Sequence, residues 1–127
     1  MILRQRIKQV SVSVLQKKVK NQPRFLFHLL TPREIRYCMG KRHFAEPAAA
    51  RIAAKQACLA LFQIPQRQMK VWARQMEVTK RTDGKPALKI YAQLKAKIKL
   101  LKEQKLFLSL AHERDQAIAW VLLTAAK

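Results

Sequence analysis

The stretch EPAAARIAAKQACLALF, Glu46 to Phe62, opens on an acid and a proline and then runs through alanines and leucines without a glycine. Proline suits the first turn of a helix and alanine is the strongest helix former, so the segment reads as a helix from about Glu46-Pro47 to about Phe62. Arg51 and Lys55 stand four residues apart, which sets both cations along one face with small residues between them. Gln56 follows Lys55, and a neutral amide at that place is the feature the rest of the chain has to explain.

Upstream, Thr31-Pro-Arg-Glu34 carries an N-cap, a proline at the first helical position and an acid three residues after the cap, which predicts a helix through about Met39. Earlier still, Val10-Ser-Val-Ser-Val14 alternates with period two and reads as a half-buried strand. Downstream, Gln75 to Thr79 and Ala87 to Tyr91 are short strand-like runs around Thr82-Asp83-Gly84-Lys85-Pro86, whose Asp-Gly pair is a hairpin signal. A lysine-rich helix is predicted from about Ala92 to Gln104, with Leu94, Ile98 and Leu101 on its buried face. Leu106 to Leu110 is a strand candidate, and Ala117 to Leu123 reads as a strand or a short buried helix. The fold class is α+β, without internal repeats or a linker.

The chain has 127 residues, enough for one core and too few for two, so residues 1–127 are expected to form a single domain. Half of the residues are hydrophobic and only 2 are glycine, which predicts a folded chain despite its charge. There are 27 Lys and Arg against 7 Asp and Glu, a formal net charge of +20, so the partner is expected to be an anion. The longest uncharged run near the C-terminus, Gln116 to Ala126, falls short of a membrane-spanning helix. The start, MILRQRIKQ, has charges where a signal peptide is apolar, and the expectation is a cytoplasmic protein with no membrane partner. Cys38 and Cys58 lack CxxC spacing and read as buried, reduced thiols.

Four segments in order then carry a resemblance: TPREIRYC (Thr31 to Cys38), ARIAAKQA (Ala50 to Ala57), MEVTKRTDGKPALKI (Met76 to Ile90) and LSLAHERDQAIAWV (Leu108 to Val121). Together they resemble the holo-acyl-carrier-protein synthase type of phosphopantetheinyl transferase. The resemblance implies an α+β phosphopantetheinyl transferase-like fold, usually a homotrimer, with coenzyme A in a cleft between subunits. It implies transfer of the phosphopantetheine arm of coenzyme A to a serine of an acidic acyl carrier protein. Both ligands are anionic, and the charge of +20 agrees with that independently of the motifs. A hetero-oligomer with a related subunit is the alternative to the homotrimer.

Carried over position by position, the resemblance makes Lys55 a catalytic and cofactor-binding residue and gives Arg51, Lys85, Ser109 and His112 to the cofactor. Arg33 and Arg36, beside the capping box, become docking residues for the carrier protein. The family binds magnesium through a glutamate after the helix lysine and an aspartate on the first strand. Here the first is Gln56, and the second is Ser11 or Ser13, since the first acid in the chain is Glu34. Coenzyme A is therefore the expected cofactor, while a well-held magnesium is not expected. Glu113 and Asp115 are the acids nearest a matched motif and the candidates for a relocated ligand. The basic run Lys95, Lys97, Lys99 and Lys102 reads as a solvated face, with steering of an acidic partner as the alternative.

Other enzyme classes lack their signatures: there is no Gly-rich phosphate loop, HExxH, Cys–His zinc spacing or G-x-S-x-G elbow, and His28 and His43 read as structural or solvated. Three readings remain, in order. The first is a divergent transferase of weak or lost activity, and the second a non-catalytic carrier-protein-binding subunit of a fatty acid or polyketide-type assembly. A nucleic-acid binder comes last, because the 7% of aromatic residues do not interleave with a basic stripe.

Overall fold

The computed structural model describes residues 1–125. The chain runs β1 (Ile2–Ser11), α1 (Val12–Asn21), α2 (Pro32–Met39), α3 (Ala45–Leu61), α4 (Met69–Trp72), β2 (Met76–Lys80), β3 (Pro86–Ile90), α5 (Ala92–Ile98), β4 (Gln104–Glu113) and β5 (Gln116–Ala125). The uncharged run begun at Gln116 ends at Ala126, outside the described residues, as does the last residue of the expected 1–127 domain.

Helix α3 is the axis of the molecule. Ala48, Ala49 and Ile52 pack into one hydrophobic cluster, Ala53, Ala54, Ala57 and Leu61 into a second, and Cys58 and Leu59 into a third. A helix buried on nearly every side needs small residues where a sheet lies against it, which explains the alanine run. That sheet has the order β1-β5-β4, antiparallel throughout, and Ala117, Ala119, Val121 and Leu123 of its central strand face the helix as buried residues. The separate β2–β3 hairpin pairs Met76 with Ile90 and Lys80 with Pro86. On the other face of the three-stranded sheet, Ile7, Phe107 and Trp120 are exposed, with Ile7 paired to Trp120.

The β2–β3 hairpin, α2 and α3 form close to the expected limits, β4 extends well beyond the expected Leu106 to Leu110, and Ala117 to Leu123 is strand rather than helix. The Val10 to Val14 strand is corrected: pairing stops at Ser11, which caps α1 by accepting a hydrogen bond from the Val14 amide at 3.2 Å. A valine–serine alternation looks like a strand, but a serine whose hydroxyl takes an amide two or three residues on starts a helix instead. The true β1 lies in the charged start, where Arg4 spreads its guanidinium over the Phe62 ring at 5.6 Å and shields the end of α3. The lysine-rich helix is also shorter than expected, because Lys99 takes a left-handed conformation (φ 53°) and ends α5 after Ile98. Helices α1 and α4 were not expected.

Candidate functional site

Lys55 projects from the middle of α3 and is 0% exposed. Its ammonium forms an ion pair with Glu34 and donates to the Leu29 carbonyl at 2.7 Å. Glu34 in turn accepts from the Thr31 amide at 3.0 Å, closing the capping box, and from the Val78 amide at 2.9 Å, tying α2 to β2. The Thr31 hydroxyl donates to Glu77, whose other oxygen accepts from the Tyr91 hydroxyl at 3.0 Å. Burial pushes the Lys55 ammonium below its ordinary value, with Glu34 opposing that shift. Lys55 is expected at a phosphate by resemblance; here its ammonium donates to Glu34 and to the Leu29 carbonyl inside the protein.

Ser11 and Gln56, by contrast, come together. Both line a small cavity of about 240 Å³ with Val14, Lys18 and Ile52. Ser13 instead joins Ser11 in holding Asp115 from the β4–β5 turn. The Asp115 carboxylate accepts from the Ser11 hydroxyl at 2.6 Å, the Ser13 hydroxyl at 2.7 Å and the Ser13 amide at 2.9 Å. Its carbonyl accepts from the Val12 amide at 2.7 Å, so one turn residue caps α1 twice. Hydrogen bonds from Ser11 and Ser13 hold the carboxyl below the usual range. The donors flanking the cavity are a hydroxyl and an amide, and the nearby carboxylate is bound to the start of α1. Magnesium takes its protein ligands chiefly from carboxylates, so the pair Ser11 and Gln56 does not fit it. Among the described residues no group of three His, Cys, Asp or Glu side chains is placed to hold a metal.

A larger cavity of about 510 Å³ lies between α2, α3 and the β4–β5 hairpin, lined by Tyr37, Lys41, Arg42, His43, Glu46 and His112 among others. His112 lies on the same face of β4 as Leu108 and reaches Glu46 of α3 at 4.0 Å. Ala117 also lines this cavity, and its strand partner Val10 precedes Ser11, so the two cavities are neighbours. A third, of about 190 Å³, is walled by Arg33, Glu34, Tyr37, Arg51 and Lys80. Arg51 is 7% exposed, donates from Nη1 to the Pro47 carbonyl at 3.1 Å and stacks over Tyr37 at 4.3 Å.

The remaining expected residues are dispersed. Lys85 sits at the exposed tip of the β2–β3 hairpin, its amide donating to Asp83 at 3.0 Å. Ser109 is on the outer face of the sheet, paired to Trp120 and turned away from α3. Arg33 and Arg36 are exposed on α2, as are Lys95, Lys97, Lys99 and Lys102 on and after α5. Cys38 and Cys58 are buried free thiols, pushed up by burial to about 11 and about 12. Sequence reading missed Tyr37, Lys41, Arg42 and Lys80 and treated His43 as structural or solvated. The run Lys41-Arg42-His43 after Gly40 was the available signal.

The fold and site define a small α+β protein in which a buried central helix and a polar network centred on Glu34 adjoin basic clefts. No protein-family profile matches the chain. Curated relatives do. A holo-[acyl-carrier-protein] synthase of Geotalea daltonii is 35% identical over 115 residues, covering 90% of this chain and 91% of the relative. One from Clostridium tetani is 30% identical over 123 residues, covering 97% and 96%. Among solved structures, the Chronobacterium ammoniagenes ACPS–CoA complex superposes with a TM-score of 0.80 at 22% identity, covering 97% of each chain. The Helicobacter pylori holo-[acyl-carrier-protein] synthase in complex with coenzyme A gives 0.77 at 23%, covering 95% of this chain and 100% of that one. The chain belongs to the holo-[acyl-carrier-protein] synthase family of phosphopantetheinyl transferases.

Proposed function

We propose that this protein is a divergent phosphopantetheinyl transferase that binds coenzyme A and an acidic acyl carrier protein, with transfer weak or lost. One observation carries the reading: Ser11 and Gln56 stand together at the first helix start and the central helix, as a paired site requires, yet neither bears a charge. The basic cleft beside them persists. The names of the curated relatives support the carrier protein as partner, and the coenzyme A complexes among the solved structures support the cofactor.

Attack of a serine hydroxyl on a diphosphate needs the phosphates neutralised and the nucleophile positioned. In this chain the neutralising charges are Lys41 and Arg42, with His112 in the same larger cleft, and Arg51 in the smaller cavity beyond Tyr37; the carrier protein docks on Arg33 and Arg36. Removing one preorganised electrostatic group costs on the order of a hundred- to a thousand-fold in rate. Loss of both anionic metal ligands therefore leaves binding as the stronger part of the activity. The 127 residues act as one phosphopantetheinyl transferase-like unit. Self-association through the exposed Ile7, Phe107 and Trp120 face would place Ser109 against a neighbour. A related chain bearing the missing carboxylates is the alternative partner.

The test is a mass-spectrometric transfer assay with coenzyme A, magnesium and an apo acyl carrier protein, run beside size exclusion. Co-elution with little or no phosphopantetheine increment is expected. Absence of both co-elution and transfer contradicts the proposal.

A further inference from the structure

Tyr37 is the wall between the two basic cavities, lining both. Three cations from three places in the chain approach its ring: Arg51 of α3 at 4.3 Å, Lys41 after α2 at 4.7 Å and Lys80 of β2 at 5.3 Å. Like charges repel, so bringing three onto one side chain needs negative charge, and an aromatic face supplies only part of it. Arg51 is also preorganised. Its guanidinium is fixed by the ring and the Pro47 carbonyl, and it is more than nine-tenths buried, yet its Nε has no hydrogen-bond partner among the described residues. A buried donor without an acceptor is costly, and the Arg51 side chain also lines the smaller cavity, where a bound anion would offset the positive charge gathered around Tyr37.

We propose that Tyr37 is a positioning residue that holds Arg51, Lys41 and Lys80 as one anion-binding set, presenting the guanidinium of Arg51 to a phosphate of the coenzyme. This rests on the coenzyme A reading above and adds a residue to it. The aromatic face positions Arg51, whose planar guanidinium stacks on the ring, while the hydroxyl is turned to Lys80. Burial alone would raise the phenol, but Lys80, Lys41 and Arg51 together bring it below its ordinary value, which agrees with a cationic enclosure.

The probe is adenosine 3′,5′-bisphosphate, titrated calorimetrically into the full chain. Tyr37→Leu is expected to weaken binding roughly tenfold, as loss of a partly desolvated cation–π contact implies. Tyr37→Phe, which keeps the ring that Arg51 stacks on, is expected to stay within about twofold. Arg51→Lys is expected to weaken the parent but to add little in the Tyr37→Leu background, because the two act through one contact. Tyr37→Met, which fills the space without a ring, replaces the leucine variant should that one melt. A parent that does not bind the bisphosphate overturns the coenzyme reading and this inference with it. A parent that binds, with folded Tyr37→Leu or Tyr37→Met binding equally well, overturns this inference alone. So does additivity of the Tyr37 and Arg51 changes.

Discussion

Gln56 and Lys55 are adjacent on α3 and have opposite fates, because 100° of helix rotation takes one into a cavity and the other into the core. The neutral character of Gln56 was legible in the sequence. The burial of Lys55 was not, since its partner Glu34 lies 21 residues away across another helix. Lys55→Ala is accordingly expected to unfold the protein before it informs on chemistry: removing one member of a buried pair costs about 3–5 kcal/mol. A urea melt checks this, and a variant of unchanged midpoint would show the pair to be dispensable. Asp115 was noticed as a nearby acid, but its contact with Ser11 spans 104 residues and only the paired strands bring it there. Its role is to hold the start of α1, so Asp115→Asn is expected to lower the melting temperature, and the loss should be largest near neutral pH, where the parent's carboxyl is ionised.

Helix α3 was readable because its composition and its proline act locally. The start of α1 was not, because a serine that caps a helix and a serine that faces solvent from a strand give the same letters. The capping box at α2 was both legible and more than a cap, since the same Glu34 and Thr31 extend the network to β2 and β3. That network predicts a pH dependence. Burial would raise the Glu77 carboxyl, but hydrogen bonds from Thr31 and Tyr91, with Arg33 and Lys89 nearby, bring it below its ordinary value of 4.5. A carboxyl with a depressed folded pKa contributes stability that is complete above the unfolded value and lost as pH falls through the folded one. Urea midpoints should therefore fall below about pH 4.5. Tyr91→Phe should flatten that limb. An acid limb identical in parent and variant would remove Tyr91 from the account. The packing of α3 makes a second prediction: Ala54→Leu, at a fully buried position against the sheet, should cost about 1–3 kcal/mol by overpacking.

The molecule as a whole joins a family fold to a surface of net charge +20 and an uncovered apolar sheet face. Charge and fold class could be read without the structure. Which residues share a cleft could not, since Tyr37, Arg51 and Lys80 meet only after three elements pack. If the sheet face is an interface, as proposed, Trp120→Glu is expected to elute later than the parent on size exclusion while the monomer stays folded, and an unchanged elution volume would argue against that interface. With Ser11 and Gln56 uncharged, binding is proposed to have outlived efficient transfer. The measurement that tests it most directly is the transfer rate onto an apo acyl carrier protein, with coenzyme A and magnesium, for the parent and for Ser11→Asp/Gln56→Glu. The account predicts slow or undetectable transfer by a parent that still binds the carrier protein, and a rise in the double variant. Rapid transfer by the parent, unimproved by the two carboxylates, would contradict it.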